Sequence, residues 1–299
     1  MRPIRALVLY LVAVFIGGSL LAPWLWRLVQ FGAPIWPKMA NTPFHRFVDR
    51  SFLIIALAGL WPLLKALGTT SRREIGLVSP FGQFKRLGGG FLLGFGSLAI
   101  VAALVLVGHE RVWAAHLGAG KIIGAILGAV ATAAVVATLE EILFRGGVFG
   151  GLRRIMYWPL ALGISSAIYA LVHFLQRTEL AGPVRWHSGL VLLPQMLSGF
   201  LDWHQLLPGF FNLTLVGLLL GLAYQRTGTL YFSIGLHAGW IFWLKTYGTL
   251  TVAAAPVASW FWGTGKLIDG WLAFLVLAAT LVIFKWLPLD SGRKPLTFP

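Results

Sequence analysis

The 299-residue chain is 58% hydrophobic and only 11% charged, with a mean hydropathy of +0.82. An ordinary soluble globule carries about a quarter charged residues, so the composition excludes a water-soluble fold, disorder and a coiled coil, while the lack of cysteine excludes disulfide scaffolds, iron–sulfur clusters and thiol nucleophiles. Lys and Arg number 24 against 9 Asp and Glu, but they lie mostly between apolar runs, where anionic lipid headgroups rather than nucleic acid are the expected counter-charge.

Runs free of Asp, Glu, Lys and Arg fall at 6–26, 51–64, 87–109, 122–139, 155–176, 203–225, 227–244 and 270–284. A membrane-crossing helix needs about 20 apolar residues, so these runs predict an all-α polytopic bundle of about eight helices, one transmembrane domain over 1–299. The first run exceeds a signal-peptide core and ends without a small-x-small cleavage site, which predicts an uncleaved first helix. The second reaches a usable length if Lys65 snorkels. Thr69 to Arg86 reads as an amphipathic surface connection, and Gly88, Gly89 and Gly90 as a loosened helix entry. Two stretches read as interfacial or re-entrant: 186–201, broken at Pro194, and 246–265, with Pro256 and Trp260-Phe261-Trp262. Small-xxx-small spacings at Gly120/Gly124/Gly128, Gly146/Gly150, Gly147/Gly151 and Gly217/Gly221 suit close helix packing. Basic residues divide almost evenly between alternate connections, so orientation is weakly specified.

Most acids lie in connections or at run ends: Asp49, Glu74, Glu110, Glu179, Asp202, Asp269 and Asp290. The exceptions are Glu140 and Glu141, adjacent inside the fourth run in the stretch ATLEEILFRGG, residues 137–147. An acid near the bilayer centre costs about 2.5–3.5 kcal/mol, so two acids with Arg145 point to function. At about 100° per residue, Glu141 and Arg145 lie about 40° apart around a helix, whereas Glu140 lies about 140° from Arg145. Glu141 is therefore placed to pair with Arg145. Glu140 projects elsewhere, as a general base would. The alternative is a buried ion network that only fixes helix packing.

Among the histidines, His173 and His237 lie in apolar runs; His45, His109, His116, His187 and His204 lie in loops or at run ends. Arg153-Arg154 and Trp158-Pro159 mark a turn midway between Glu140 and His173, so two antiparallel helices would bring those residues to matching depth. Tyr169 lies one turn before His173, where its hydroxyl is expected to orient the imidazole or a bound water.

Glu-Glu-x-x-x-Arg at 140–145, aromatic-x-x-x-His at 169–173 and His-Ala-Gly-Trp at 237–240 occur in an order that resembles the CPBP (CAAX protease and bacteriocin-processing, or Abi) intramembrane endopeptidases, which include the Rce1-type prenyl-protein proteases. The resemblance covers a core of about residues 120–246. It implies an eight-helix bundle with a polar cavity, in which Glu140 activates water together with His173, Glu141 and Arg145 support the site, and His237 helps hold the oxyanion. Two positions depart from the family pattern: Tyr169 replaces the usual Phe, and Ile241 replaces an Asn or Asp one turn after the histidine. Removing an oxyanion donor costs about 10²–10³ in rate, so another group, with Asn212 and Thr214 as candidates, must compensate or activity falls.

The expected reaction is hydrolysis of a peptide bond in a lipidated or membrane-associated protein, in a bacterial inner (plasma) membrane, without nucleic acid. No Gly-x-Ser-x-Gly elbow or cysteine offers a covalent nucleophile, and Ser165 and Ser166 read as small packing residues. No cofactor is expected. Zinc is the alternative, because two His and a Glu are a legitimate ligand set even though His-Glu-x-x-His is absent. A catalytically silent membrane scaffold and a proton-coupled transporter are the competing functions.

Overall fold

The computed structural model describes residues 2–69, 71–115, 117–201, 203–254 and 259–289; His116, Asp202, Pro256, Asp290 and the side chain of His204 lie outside the described residues. In chain order the principal elements are α1 (Ile4–Phe31), α2 (Phe44–Ala66), α3 (Phe84–Val107), β1 (Arg111–Trp113), α4 (Ala119–Leu152), α5 (Trp158–Val172), α6 (Ser188–Met196), α7 (Leu206–Thr227), α8 (Tyr231–Leu250), β2 (Thr251–Ala253) and α9 (Trp271–Trp286). Each predicted apolar run centres on a helix, but among the described residues only five helices, α1 to α4 and α7, are long and apolar enough to cross a membrane. α5 and α9 are apolar but shorter. α8 has the length, but His237, Lys245 and its hydroxyl side chains dilute its apolar character. The expected number of crossings thus rests on five helices by length and composition. β1 and β2 pair antiparallel, Arg111 opposite Ala253, so the fold is nearly rather than wholly α.

The chain divides into two compact units, one of Met1–Thr70 with Val172–Trp203, the other of Ser71–Leu171 with His204–Pro299. In the first, Gly18 brings the backbone of α1 onto Phe52 of α2, where a Cβ would collide. The Tyr10 hydroxyl donates to the Ala56 carbonyl at 2.8 Å. α6 rests its Gly189 on the main chain at Ser19. Nine residues of helix rise about 14 Å, so the 186–201 stretch does not cross.

The second unit is built around α8. Gly90 and Gly94 of α3 meet the main chain at Phe232 and Leu236, and Gly235 and Gly239 of α8 meet that at Leu87, Phe91 and Phe95. Any Cβ at these four positions would strike backbone, so glycine on both helices is what allows the approach. Hydrogen bonds from Trp240 Nε1 to Ser97 Oγ at 2.8 Å and from Trp243 Nε1 to the Phe95 carbonyl at 2.9 Å fix the register. Gly217 and Gly221 of α7 seat on Ser166 and Leu162 of α5, using the spacing predicted there. Gly120, Gly124 and Gly128 instead face open space, because a smooth ridge does not by itself supply a neighbouring helix. Gly88 to Gly90 do not loosen an entry; they lie inside a helix regular from Phe84.

α4 changes character along its length. Ala119–Glu141 is α-helical, Ile142–Phe149 is π-helical and Gly150–Leu152 is α-helical again. The π segment starts at the residue after the carboxylate pair, the kind of place where such wide turns concentrate.

Candidate active site

Five of the predicted side chains converge within the second unit. Glu140 and Glu141 end the α-helical part of α4, Arg145 lies in its π segment, Tyr169 comes from α5 and His237 from α8. Arg145 Nη1 donates to Glu141 Oε1 at 3.0 Å, the pairing expected from their spacing. The same oxygen lies 2.9 Å from His237 Nδ1. A proton on Nδ1 makes that contact a hydrogen bond and turns Nε2 toward the remaining partners: the Tyr169 hydroxyl at 3.4 Å and Glu140 Oε2 at 3.8 Å.

The two carboxylates differ in surroundings. Glu141 is fully buried and bound on one oxygen by two donors, whereas the Glu140 side chain is 23% exposed. Arg145, buried beside them, also donates toward the Gly217 carbonyl at 3.5 Å and stacks over the Tyr169 ring at 4.4 Å. Phe144 meets that ring edge-on with centroids 5.0 Å apart. The phenol is thus clamped between a cation and a second aromatic while its hydroxyl points to His237. Two carboxylates face one guanidinium and one imidazole here.

Residues 122–243 match the family described as type II CAAX prenyl endopeptidase, Rce1-like. The chain carries an Rce1-like core. No curated protein and no solved structure matches it. The Rce1-like core contains the whole carboxylate cluster, together with His173, Asn212 and Ile241.

Of the other residues singled out in the Rce1-like core, His173 follows α5 directly, in an exposed turn counted with the first unit. The Tyr169 hydroxyl, expected to serve the His173 imidazole, lies against that of His237. Asn212 is fully buried, and its Nδ2 donates to the carbonyls of Ile268 and Gly270, both at 2.9 Å, tying the segment before α9 to α7. Thr214 Oγ1 is buried without a hydrogen-bond partner among the described residues. Ile241 is buried one turn beyond His237 and offers no donor. The Gly217 carbonyl is a contributor the sequence did not announce: its glycine reads there as packing, and its bond to Arg145 depends on where α7 lies.

Zinc fits this cluster poorly. Glu141 Oε1 already serves Arg145 and His237, and a cation beside that guanidinium would be repelled. Among the described residues, no group of three or more His, Asp and Glu stands in a metal-holding arrangement.

Proposed function

We propose that the chain is an intramembrane endopeptidase that hydrolyses a peptide bond of a lipidated or membrane-associated protein, with water deprotonated by Glu140 and no metal. Membership of the matched stretch in an endopeptidase family supports the reaction class. The observation that carries the assignment of roles is the division between the carboxylates: Glu141 is sealed and doubly bound, while Glu140 stays partly accessible against His237 Nε2.

In the proposed step Glu140 takes a proton from water, the hydroxide oxygen attacks the scissile carbonyl carbon, and the negative charge passes to the carbonyl oxygen. The C–N bond then breaks as Glu140 returns the proton to the leaving nitrogen, releasing a carboxylic acid and an amine. With both ring nitrogens protonated, His237, held by Glu141 through Nδ1, would donate through Nε2 to the developing oxyanion beside the Tyr169 hydroxyl. This gives Tyr169 the donor role for which Asn212, already bound to two carbonyls, has no amide hydrogen to spare. A share of His173 in activating the water is proposed on the motif resemblance.

A prenylated CAAX tail is the substrate class that the family description supports. A bacterial inner membrane is the location that the family resemblance supports. The buried, apolar Ile241 favours one second reading, a catalytically silent scaffold of the same fold. Comparative proteomics of membranes carrying the wild type or Glu140→Gln separates the two. The peptidase reading expects one membrane-associated species to accumulate uncut with the variant. Identical proteomes would favour the scaffold. Chelator-insensitive cleavage is expected as well, whereas one tightly held zinc lost together with activity would overturn the metal-free mechanism.

A further inference from the structure

We propose that residues 71–86, at the entry to α3, form a binding site for a glycerophospholipid with an anionic headgroup. The segment is strapped to the second unit. Its 3-10 turn Arg72–Ile75 ends at Gly76, whose left-handed φ of 81° sets the main chain against Tyr224, and the Gly76 carbonyl accepts the Leu230 N–H at 3.2 Å. The Tyr231 hydroxyl donates to the Val78 carbonyl at 2.8 Å. Ile75 lies against Gly146, the neighbour of Arg145.

Held this way, the segment presents a one-signed surface. Its one acid, Glu74, is engaged by Arg154 at 2.6 Å and by Ser71 at 3.2 Å. Arg72, Arg73 and Lys85 are exposed, and Arg86 is half-buried beside Gln83. Among these cations the rings of Phe81 and Phe84 are 84% and 67% exposed. An open groove of about 460 Å³ lies here, lined by Arg73, Leu77, Val78, Ser79, Phe81 and Gln83.

One side of that groove suits a phosphate, with a guanidinium, a hydroxyl and an amide; the other suits an acyl chain. The first membrane-crossing residue of α3, Phe84, follows at once, which puts the groove at the depth of the headgroups. Free phosphate would satisfy Arg73 but leave both rings in water. An acidic peptide would match the charge but not two exposed aromatics at the mouth of a span.

The test counts lipids retained by the full-length protein in neutral detergent, by native mass spectrometry, with phosphatidylglycerol or phosphatidylcholine of equal chain length. The wild type is expected to prefer phosphatidylglycerol. Each cation removed should weaken that preference about fivefold, so R73Q/K85Q should lose about 25-fold. F81S should weaken retention of both lipids, and K121Q, at the start of α4, should change neither. Equal retention of the two lipids by the wild type, or an unchanged preference in a folded R73Q/K85Q, overturns the proposal. Displacement of phosphatidylglycerol by millimolar inorganic phosphate, or by an acidic peptide, overturns the lipid assignment in favour of that ligand.

Discussion

Glu140 and Glu141 are adjacent in the chain yet face opposite demands. Glu141 → Gln would leave Arg145 buried beside a neutral amide, and breaking a buried pair costs about 3–5 kcal/mol. Its thermal unfolding midpoint in detergent should therefore fall well below that of Glu140→Gln, whose side chain is partly exposed. Equal midpoints would show that Glu141 is not the structural partner. Tyr169→Phe keeps the ring under Arg145 and removes one hydroxyl from His237. Loss of an oxyanion donor costs about 10²–10³ in rate, so kcat should fall at least about 10²-fold with KM little changed. An unaltered kcat would remove Tyr169 from the site. The Glu141–Arg145 pair was legible from helical spacing alone. The contact between Tyr169 and His237 was not, because it joins α5 to α8 and depends on where those two helices lie.

Among the elements, α3 and α8 carry the tightest interface, and its glycines are not interchangeable with those of α4. Gly94→Leu drives a side chain into the Leu236 main chain and should abolish cooperative unfolding, measured by denaturant titration in mixed micelles. Gly124→Ala meets open space and should stabilise by up to about 1 kcal/mol through helix propensity. The reverse ranking would contradict the packing described. Both helices show glycines four apart, as α4 does, and sequence spacing cannot tell a ridge that meets a neighbour from one that does not. Apolar runs located eight of the nine principal helices because hydrophobicity acts locally; α6 fell in the stretch broken at Pro194. The β1–β2 pairing and the π segment after Glu141 escaped that reading, since one joins residues far apart in the chain and the other rests on backbone geometry rather than side-chain type.

At the scale of the molecule, composition alone was enough to assign the chain to the membrane, while the near-even spread of basic residues left its orientation open. The second unit adds a constraint. Arg154, in the turn between α4 and α5, bonds Glu74, so the 71–83 segment and that turn share one side of the bilayer. α4 runs 34 residues, about 50 Å, against a hydrocarbon core of about 30 Å, so Lys121 lies on the other side. The chain lacks cysteine, which makes single-cysteine labelling clean. Ser79→Cys and Tyr157→Cys should react with an impermeant maleimide from the same side, and Lys121→Cys from the opposite one. Joint labelling of Ser79→Cys and Lys121→Cys would refute this arrangement. The carboxylates, Arg145 and His237 stood out in the sequence because a polar group inside an apolar run is costly and therefore conspicuous. The grouping of Glu140 and Glu141 around the imidazole of His237 depended on the fold. Its chemical meaning is tested most directly by cleavage of a lipidated CAAX peptide in proteoliposomes, comparing purified wild type with Glu140→Gln in the presence of a chelator. Removal of a general base predicts a loss of at least about 10²-fold in kcat/KM for the variant and full activity for the wild type; equal cleavage by the two proteins would contradict the account.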